Sequence, residues 1–243
     1  MAAKRVLIIT TSHAEMGSSG KRTGLWLEEL STPYYALKDA GLDVTLASIA
    51  GGEIPFDPAS LPAPAAKPGE EPAGGQEVPE SVRRFLADED AMRLARTSAS
   101  IHQLAGLGFD ALFMPGGHGT MWDYPGNEKL AEMIVTADEE GKVVAAVCHG
   151  PACLTGVTMR GGRPLVEGRR VTAFTDAEEE AVGLSKVVPF LLESRLRDLG
   201  ARFESTGPWQ PFAVRDGRLV TGQNPQSSEL VARHVIEALR EQD

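Results

Sequence analysis

The chain of 243 residues is 42% hydrophobic and 24% charged, enough apolar material for a buried core and too little compositional bias for disorder. Its 34 Asp and Glu outnumber 24 Lys and Arg, and the net charge of -10 repels phosphate backbones and anionic lipid surfaces, so nucleic acid and membrane are excluded as natural partners. The only cysteines, Cys148 and Cys153, stand outside any Cys/His ladder; this excludes a disulfide framework or structural zinc site and predicts a reducing, cytoplasmic setting.

Short apolar runs bounded by turn residues recur at 6–9, 44–47, 111–114, 143–147 and 171–174, as strands buried on both faces require. The first is too short for a secretion-signal core, and nothing approaches membrane-spanning length. A helix is predicted over 23–40, burying Leu27, Leu30, Tyr34 and Leu37. Pro33 lacks an N–H and crowds the preceding turn, which predicts a kink or restart near Thr32 that splays out Glu28 and Glu29. Segment 51–80 carries seven prolines and few large apolar residues and reads as an irregular insertion, either a solvated loop or a lid. Helical spacing returns at Leu130, Met133, Ile134 and Ala137, at Val188, Leu192, Leu196 and Leu199, and at Val231, Val235 and Ala238. Asp216-Gly217 between residues 212–214 and 219–220 predicts an edge hairpin. Alternating strands and helices define a single α/β domain over 1–243, a doubly wound, mostly parallel sheet with helices on both faces.

Chemistry concentrates where the run 143–147 meets Cys148-His149-Gly150-Pro151. Small-x-Cys-x-Gly between a buried strand and a helix is the sequence form of a nucleophile elbow, with Ala146 and Gly150 leaving room for the sharp turn. It would expose the sulfur above the strand ends, and the following helix N-terminus would favour thiolate. A strand-ending cysteine can also be a small buried hydrophobe, but the flanking small residues and adjacent His149 favour the elbow; Cys153, beside Leu154, reads as core. Pro115-Gly116-Gly117-His118-Gly119 ends another buried strand, and its amides, with that of His149, are placed to form an oxyanion hole. His149 is the favoured base. His118 would line the pocket or meet a metal, though no spaced ligand set accompanies it; His13, His102 and His234 read as surface or packing residues. Glu28, Glu29, Asp176, Glu178, Glu179 and Glu180 all follow strand ends, and the spacing does not choose among them.

The Cys148-His149-Gly150-Pro151 elbow, the 115–125 segment Pro-Gly-Gly-His-Gly-Thr-Met-Trp-Asp-Tyr-Pro, Thr23-Gly24 with Glu29, and Gly207-Pro208-Trp209 together resemble the ThiJ/PfpI superfamily. The likeness is to the branch holding glyoxalase III enzymes and heat-shock chaperones, on a flavodoxin-like fold shared with glutamine amidotransferases. It implies Cys148 as nucleophile, His149 as partner, Glu29 as the acid beside the sulfur, Gly117 and His118 at the oxyanion and substrate side, and Glu179 as the acid orienting His149, with Asp176 and Glu178 as competing registers. It further implies a cofactor-independent lyase converting methylglyoxal to lactate without glutathione or metal, with possible deglycase activity, in a homodimer. A holding chaperone using segment 51–80 and a redox sensor at Cys148 are the alternatives. Amidotransferase activity is disfavoured, because the late His234 and Glu237 lack the His-x-Glu spacing.

Overall fold

The computed structural model describes residues 3–62 and 78–241. Five parallel strands form its centre: β1 (Arg5–Thr10), β2 (Asp43–Ser48), β3 (Ala99–Ser100), β4 (Ala111–Met114) and β5 (Val143–Val147). With the hairpin β8 (Ala213–Asp216) and β9 (Leu219–Gly222), they make a seven-stranded sheet in the order β3-β2-β1-β4-β5-β9-β8. Only β8 runs antiparallel, at the edge, where Gly217 takes φ +62° in the turn.

The central runs are apolar without interruption because both faces are covered. Val6, Ile8, Phe113, Ala145 and Val147 pack with Leu30, Tyr34, Phe85, Val231 and Val235. Those partners come from α1 (Leu27–Asp39), α2 (Glu80–Ala87) and α8 (Ser228–Arg240), while α3 (Glu89–Arg96) adds Ala91 and Ala95. Leu7, Ile9, Leu112, Met114, Val144 and Ala146 face the other way. They meet Leu130 and Ile134 of α5 (Glu128–Glu139) and Leu192 and Leu196 of α7 (Leu192–Asp198). Cys153 is buried in that second core.

Two expectations are corrected. Helix α1 begins at Leu27 and runs unbroken through Pro33 to Asp39. The proline removes one hydrogen bond, but Pro33 is buried and the helix lies against α2 and α8, and that packing overrides the local preference. The run 171–174 is not a strand of the main sheet. Its first residue belongs to β6 (Arg170–Val171), which pairs with β7 (Arg202–Phe203) in a separate two-stranded sheet. Beyond it, Thr172 N–H donates to Thr221 Oγ1 at 2.8 Å and Phe174 N–H to the Cys148 carbonyl at 2.9 Å, so 172–174 is tied to the elbow. In the insertion, Leu25 bridges Phe56, a 3-10 turn forms at Pro58–Ser60, and Ile54 is buried; residues 63–77, the middle of the 51–80 segment read as a loop, lid or client surface, lie outside the described residues.

Strand β1 has β2 on one side and β4 on the other. Chain order departs in opposite directions there, and the crevice beyond the carboxyl ends of such strands is where open α/β sheets hold ligands. The loops after β1, β4 and β5 therefore converge.

Candidate active site

Cys148 follows β5 directly and adopts φ +59°, the left-handed region, while only 3% exposed. A non-glycine residue held there costs about 1–3 kcal/mol, which the surrounding contacts must supply. Those contacts are tight. A Cβ on Gly150 would lie 2.2 Å from the Met114 carbonyl oxygen, and one on Gly116 2.6 Å from the His149 nitrogen. Gly117, at φ +95°, would place a Cβ 2.3 Å from the Gly24 oxygen. Gly150→Ala is therefore expected to lower unfolding free energy by about 2 kcal/mol or more, read as a fall in the urea midpoint at constant slope; an unchanged midpoint would mean that the turn is not under this constraint.

His149 is 1% exposed and spans the site. Its Nδ1 lies 3.4 Å from Cys148 Sγ, and its Nε2 lies 2.8 Å from Glu179 Oε2. The second oxygen of the same carboxylate, Oε1, is 2.8 Å from His118 Nε2. Helix α6 (Asp176–Ala181) carries this glutamate inward from its first turn. Burial alone would raise the Glu179 pKa, but the two imidazoles outweigh it and hold the carboxyl well below its usual range. Burial, then the neighbouring His118, lowers His149. At neutral pH the acid is charged and the His149 imidazole neutral. An ionised carboxylate only accepts hydrogen bonds, so both Nε2 atoms carry hydrogen toward it, and the neutral His149 presents its Nδ1 lone pair to Cys148. Phe174 lies against His149 with ring centroids 4.4 Å apart, which explains the departure of 172–174 from the sheet.

Glu29 enters from the first turn of α1 and is wholly buried. Its Oε2 accepts the Gly116 N–H at 2.7 Å; its Oε1 has no nitrogen or oxygen partner, and the carboxyl interacts with the Cys148 thiol. Burial pushes Glu29 well above the usual carboxylate range. Burial likewise pushes the Cys148 thiol up, and the adjacent Glu29 adds to this, while the His149 N–H pulls it down. The expected helix-assisted thiolate is thus corrected: the element after Cys148, Gly150–Gly156, is a 3-10 helix, and desolvation dominates. Cys148 and Glu29 form a buried pair that disfavours a second negative charge.

Of the competing acids, Asp176 turns away and accepts the Ser194 hydroxyl, Glu180 is exposed, and Glu28 is partly buried beside the site. Glu178 is buried and structural. One oxygen accepts the Thr175 N–H and hydroxyl at 3.0 and 2.9 Å; the other accepts from Trp209 N, Gln223 Nε2 and Asn224 Nδ2 at 2.9, 3.1 and 2.8 Å. Reading the sequence did not identify this hub, although Thr175-x-x-Glu178 is a capping-box signature. Nor did it identify the role of Trp209, which takes φ +62° and sets its ring edge-on to Phe174 at the cavity rim. The cavity, about 490 Å³, is lined by Trp26, Gly117, His118, Cys148, Phe174 and Trp209, among others.

His118, His149 and Glu179 offer ligand atoms within 4.8 Å of one another, a set able to hold a metal ion. Sequence spacing hid it, because His118 and Glu179 are 61 residues apart. His13 stacks on Trp122, His234 contacts Glu237, and His102 is exposed.

A buried cysteine on a strained strand-to-helix turn, backed by His and Glu at the switch point of a parallel sheet, defines an α/β protein built for cysteine chemistry. Residues 94–238 match the DJ-1/PfpI family, and the chain belongs to it. Glutathione-independent glyoxalase HSP31 of Saccharomyces cerevisiae is 32% identical over 99% of this chain and 100% of its own. Glyoxalase 3 of Candida albicans is 32% identical over 96% and 98%. Among solved structures, glyoxalase III of Candida albicans superposes with TM-score 0.82 at 30% identity, covering 97% of each chain. The 24 kDa Rapid Encystment Protein of Francisella tularensis gives 0.88 at 37%, covering 97% of this chain and 99% of its own.

Proposed function

We propose that this protein is a glutathione-independent glyoxalase, converting methylglyoxal to lactate at Cys148. The observation that carries the proposal is the continuous array from Cys148 Sγ through His149 to Glu179, 3.4 and 2.8 Å in its two links. The glyoxalase names of the full-length relatives support it. Sulfur adds to the aldehyde carbon, and the thiol proton passes within the buried Cys148–Glu29 pair to the new hydroxyl, giving a hemithioacetal. Neutral His149 removes the hydrogen from that carbon and returns it to the neighbouring carbon, so an enediol becomes a lactoyl thioester. Water then breaks the thioester, releasing lactate and restoring the thiol. The Gly117 and His149 amides hold the developing oxyanion. The neutral cavity wall of Trp26, Phe174 and Trp209 excludes bulk water from the enediol. Neither glutathione nor a metal enters these steps. A homodimer belongs to the same reading, on the strength of the family resemblance.

The chaperone alternative rests on segment 51–80, of which residues 63–77 lie outside the described residues; among the described residues the exposed large hydrophobics are Leu61, Val182 and Trp209, and the last two line the cavity.

Glu29→Gln tests the reading with two signs. Lactate formation in glutathione-free buffer is expected to fall by about 10²-fold or more, since the amide cannot relay a proton. Stability is expected to move the other way. Because the folded-state pKa of Glu29 is raised, its ionisation in the unfolded chain above pH about 4.5 drains stability as pH rises toward the folded value. The uncharged amide removes that loss, so the gain in melting temperature is larger at pH 8 than at pH 5. Retained turnover in Glu29→Gln would remove Glu29 from the mechanism, and wild-type protein that makes no lactate would overturn the glyoxalase reading.

A further inference from the structure

Isomerising the hemithioacetal to the thioester moves two protons. The hydrogen on the first carbon must reach the second, and the hydroxyl proton on the first oxygen must reach the second oxygen. One imidazole carrying the carbon-bound hydrogen cannot hold the other proton at the same time. The site contains a second imidazole with no role in the steps above. His118 is buried, lines the same cavity, and lies with its ring centroid 4.0 Å from that of His149. Its Nε2 donates to the other oxygen of Glu179, which leaves Nδ1 as the ring atom not committed to that carboxylate. That Nδ1 has no hydrogen-bond partner among the described residues, although Thr120 and Gly119 on the same loop are fully engaged, the former with the Gly117 and His149 carbonyls and the latter with the Gly24 carbonyl.

We infer that His118 is a second catalytic residue, the carrier of the oxygen-bound proton. The inference rests on the glyoxalase reading of the site. His149 takes the hydrogen from the first carbon, leaving an enediolate whose charge lies on the second oxygen. His118 Nδ1 accepts the hydroxyl proton from the first oxygen and delivers it to the second. The first oxygen then closes to a carbonyl as His149 returns its proton to the second carbon. Each ring ends as it began, no electron leaves the substrate, and the thioester has the composition of the hemithioacetal. Glu179, bonded to both rings, stabilises whichever one is transiently cationic, so two carriers share one counter-charge. The arrangement has a reason to be bifurcated: the two oxygens of one carboxylate hold the rings in a fixed relation, as two concerted transfers across adjacent atoms require.

His118→Gln keeps a donor toward Glu179 and cannot carry a proton; His118→Asn is the second variant, a shorter amide that likewise cannot carry a proton. Three readouts on wild type and both variants test the inference: kcat and KM for lactate from methylglyoxal, the rate of Cys148 alkylation by iodoacetamide, and the fraction of protein trapped as its methylglyoxal adduct during turnover, read by native mass spectrometry. The expected result is a kcat lowered about 10²-fold with KM and alkylation within about threefold of wild type, and a higher trapped-adduct fraction because the step after addition is slowed. A wild-type kcat in either variant overturns the role of His118 while leaving the glyoxalase reading intact. Parallel losses of alkylation and kcat, with no rise in adduct, make His118 structural and overturn it as well. Absence of lactate from wild type removes the glyoxalase reading and this role together.

Discussion

Cys148→Ala is expected to reduce lactate formation from methylglyoxal by at least about 10⁴-fold, to the level of protein-free buffer, while the fold persists. The size of the effect follows from the covalent step. Without sulfur no hemithioacetal forms, and the imidazoles and amides around the site have nothing bound to act on. Persistence of the fold follows from Ala being smaller than Cys at a position that already tolerates φ +59°. The alanine variant is also expected to lose some stability at neutral pH, because buried Glu29 Oε1, which has no nitrogen or oxygen partner, then lacks the thiol contact that eases its ionisation. Measured by coupled lactate assay and thermal melting, a variant that keeps even a few per cent of wild-type turnover would place the nucleophile elsewhere.

The second large effect is expected on stability. Glu178→Ala strands five donors around a buried site: two from Thr175, and one each from Trp209, Gln223 and Asn224. Leaving a buried donor unmet costs about 1–3 kcal/mol, and partial relaxation into the space left by the side chain brings the sum to about 4 kcal/mol, at the severe end for a single substitution. Activity should fall with it, because the backbone N–H of Trp209 is what Glu178 holds, and Trp209 forms the rim of the cavity. Glu178→Gln, which keeps one acceptor, should lie between the two. A urea midpoint for Glu178→Ala within about 0.5 kcal/mol of wild type would mean that these donors find water without difficulty.

The buried parallel strands were legible because a two-sided sheet demands unbroken apolar runs, and the elbow because its steric demand is local: Ala146, Cys148 and Gly150 lie within five residues. The same locality marks the edge hairpin at Asp216-Gly217. Segment 171–174 misled for the opposite reason. Its residues are as apolar as a strand's, but their hydrogen bonds go to Thr221 and Cys148, partners chosen by the tertiary arrangement. Pro33 misled because a helix buried against two others outweighs one lost bond. The choice among Asp176, Glu178 and Glu179 was open to a sharper reading: the capping box commits Glu178 to Thr175, and the next residue, rotated by about 100° around the helix, faces elsewhere. What no local pattern could show is that one carboxylate serves both His118 and His149, since the histidines follow β4 and β5, which meet by pairing, and Glu179 reaches them from helix α6, far along the chain.

The most direct test of cysteine-centred glyoxalase chemistry is to count turnovers by NMR, mixing purified protein with a large excess of methylglyoxal in buffer free of glutathione and added metal. The expected result is one lactate for each methylglyoxal consumed, continuing far beyond one equivalent per Cys148. Consumption that stops at about one equivalent with no lactate, the signature of a thiol merely trapped by an aldehyde, would contradict it.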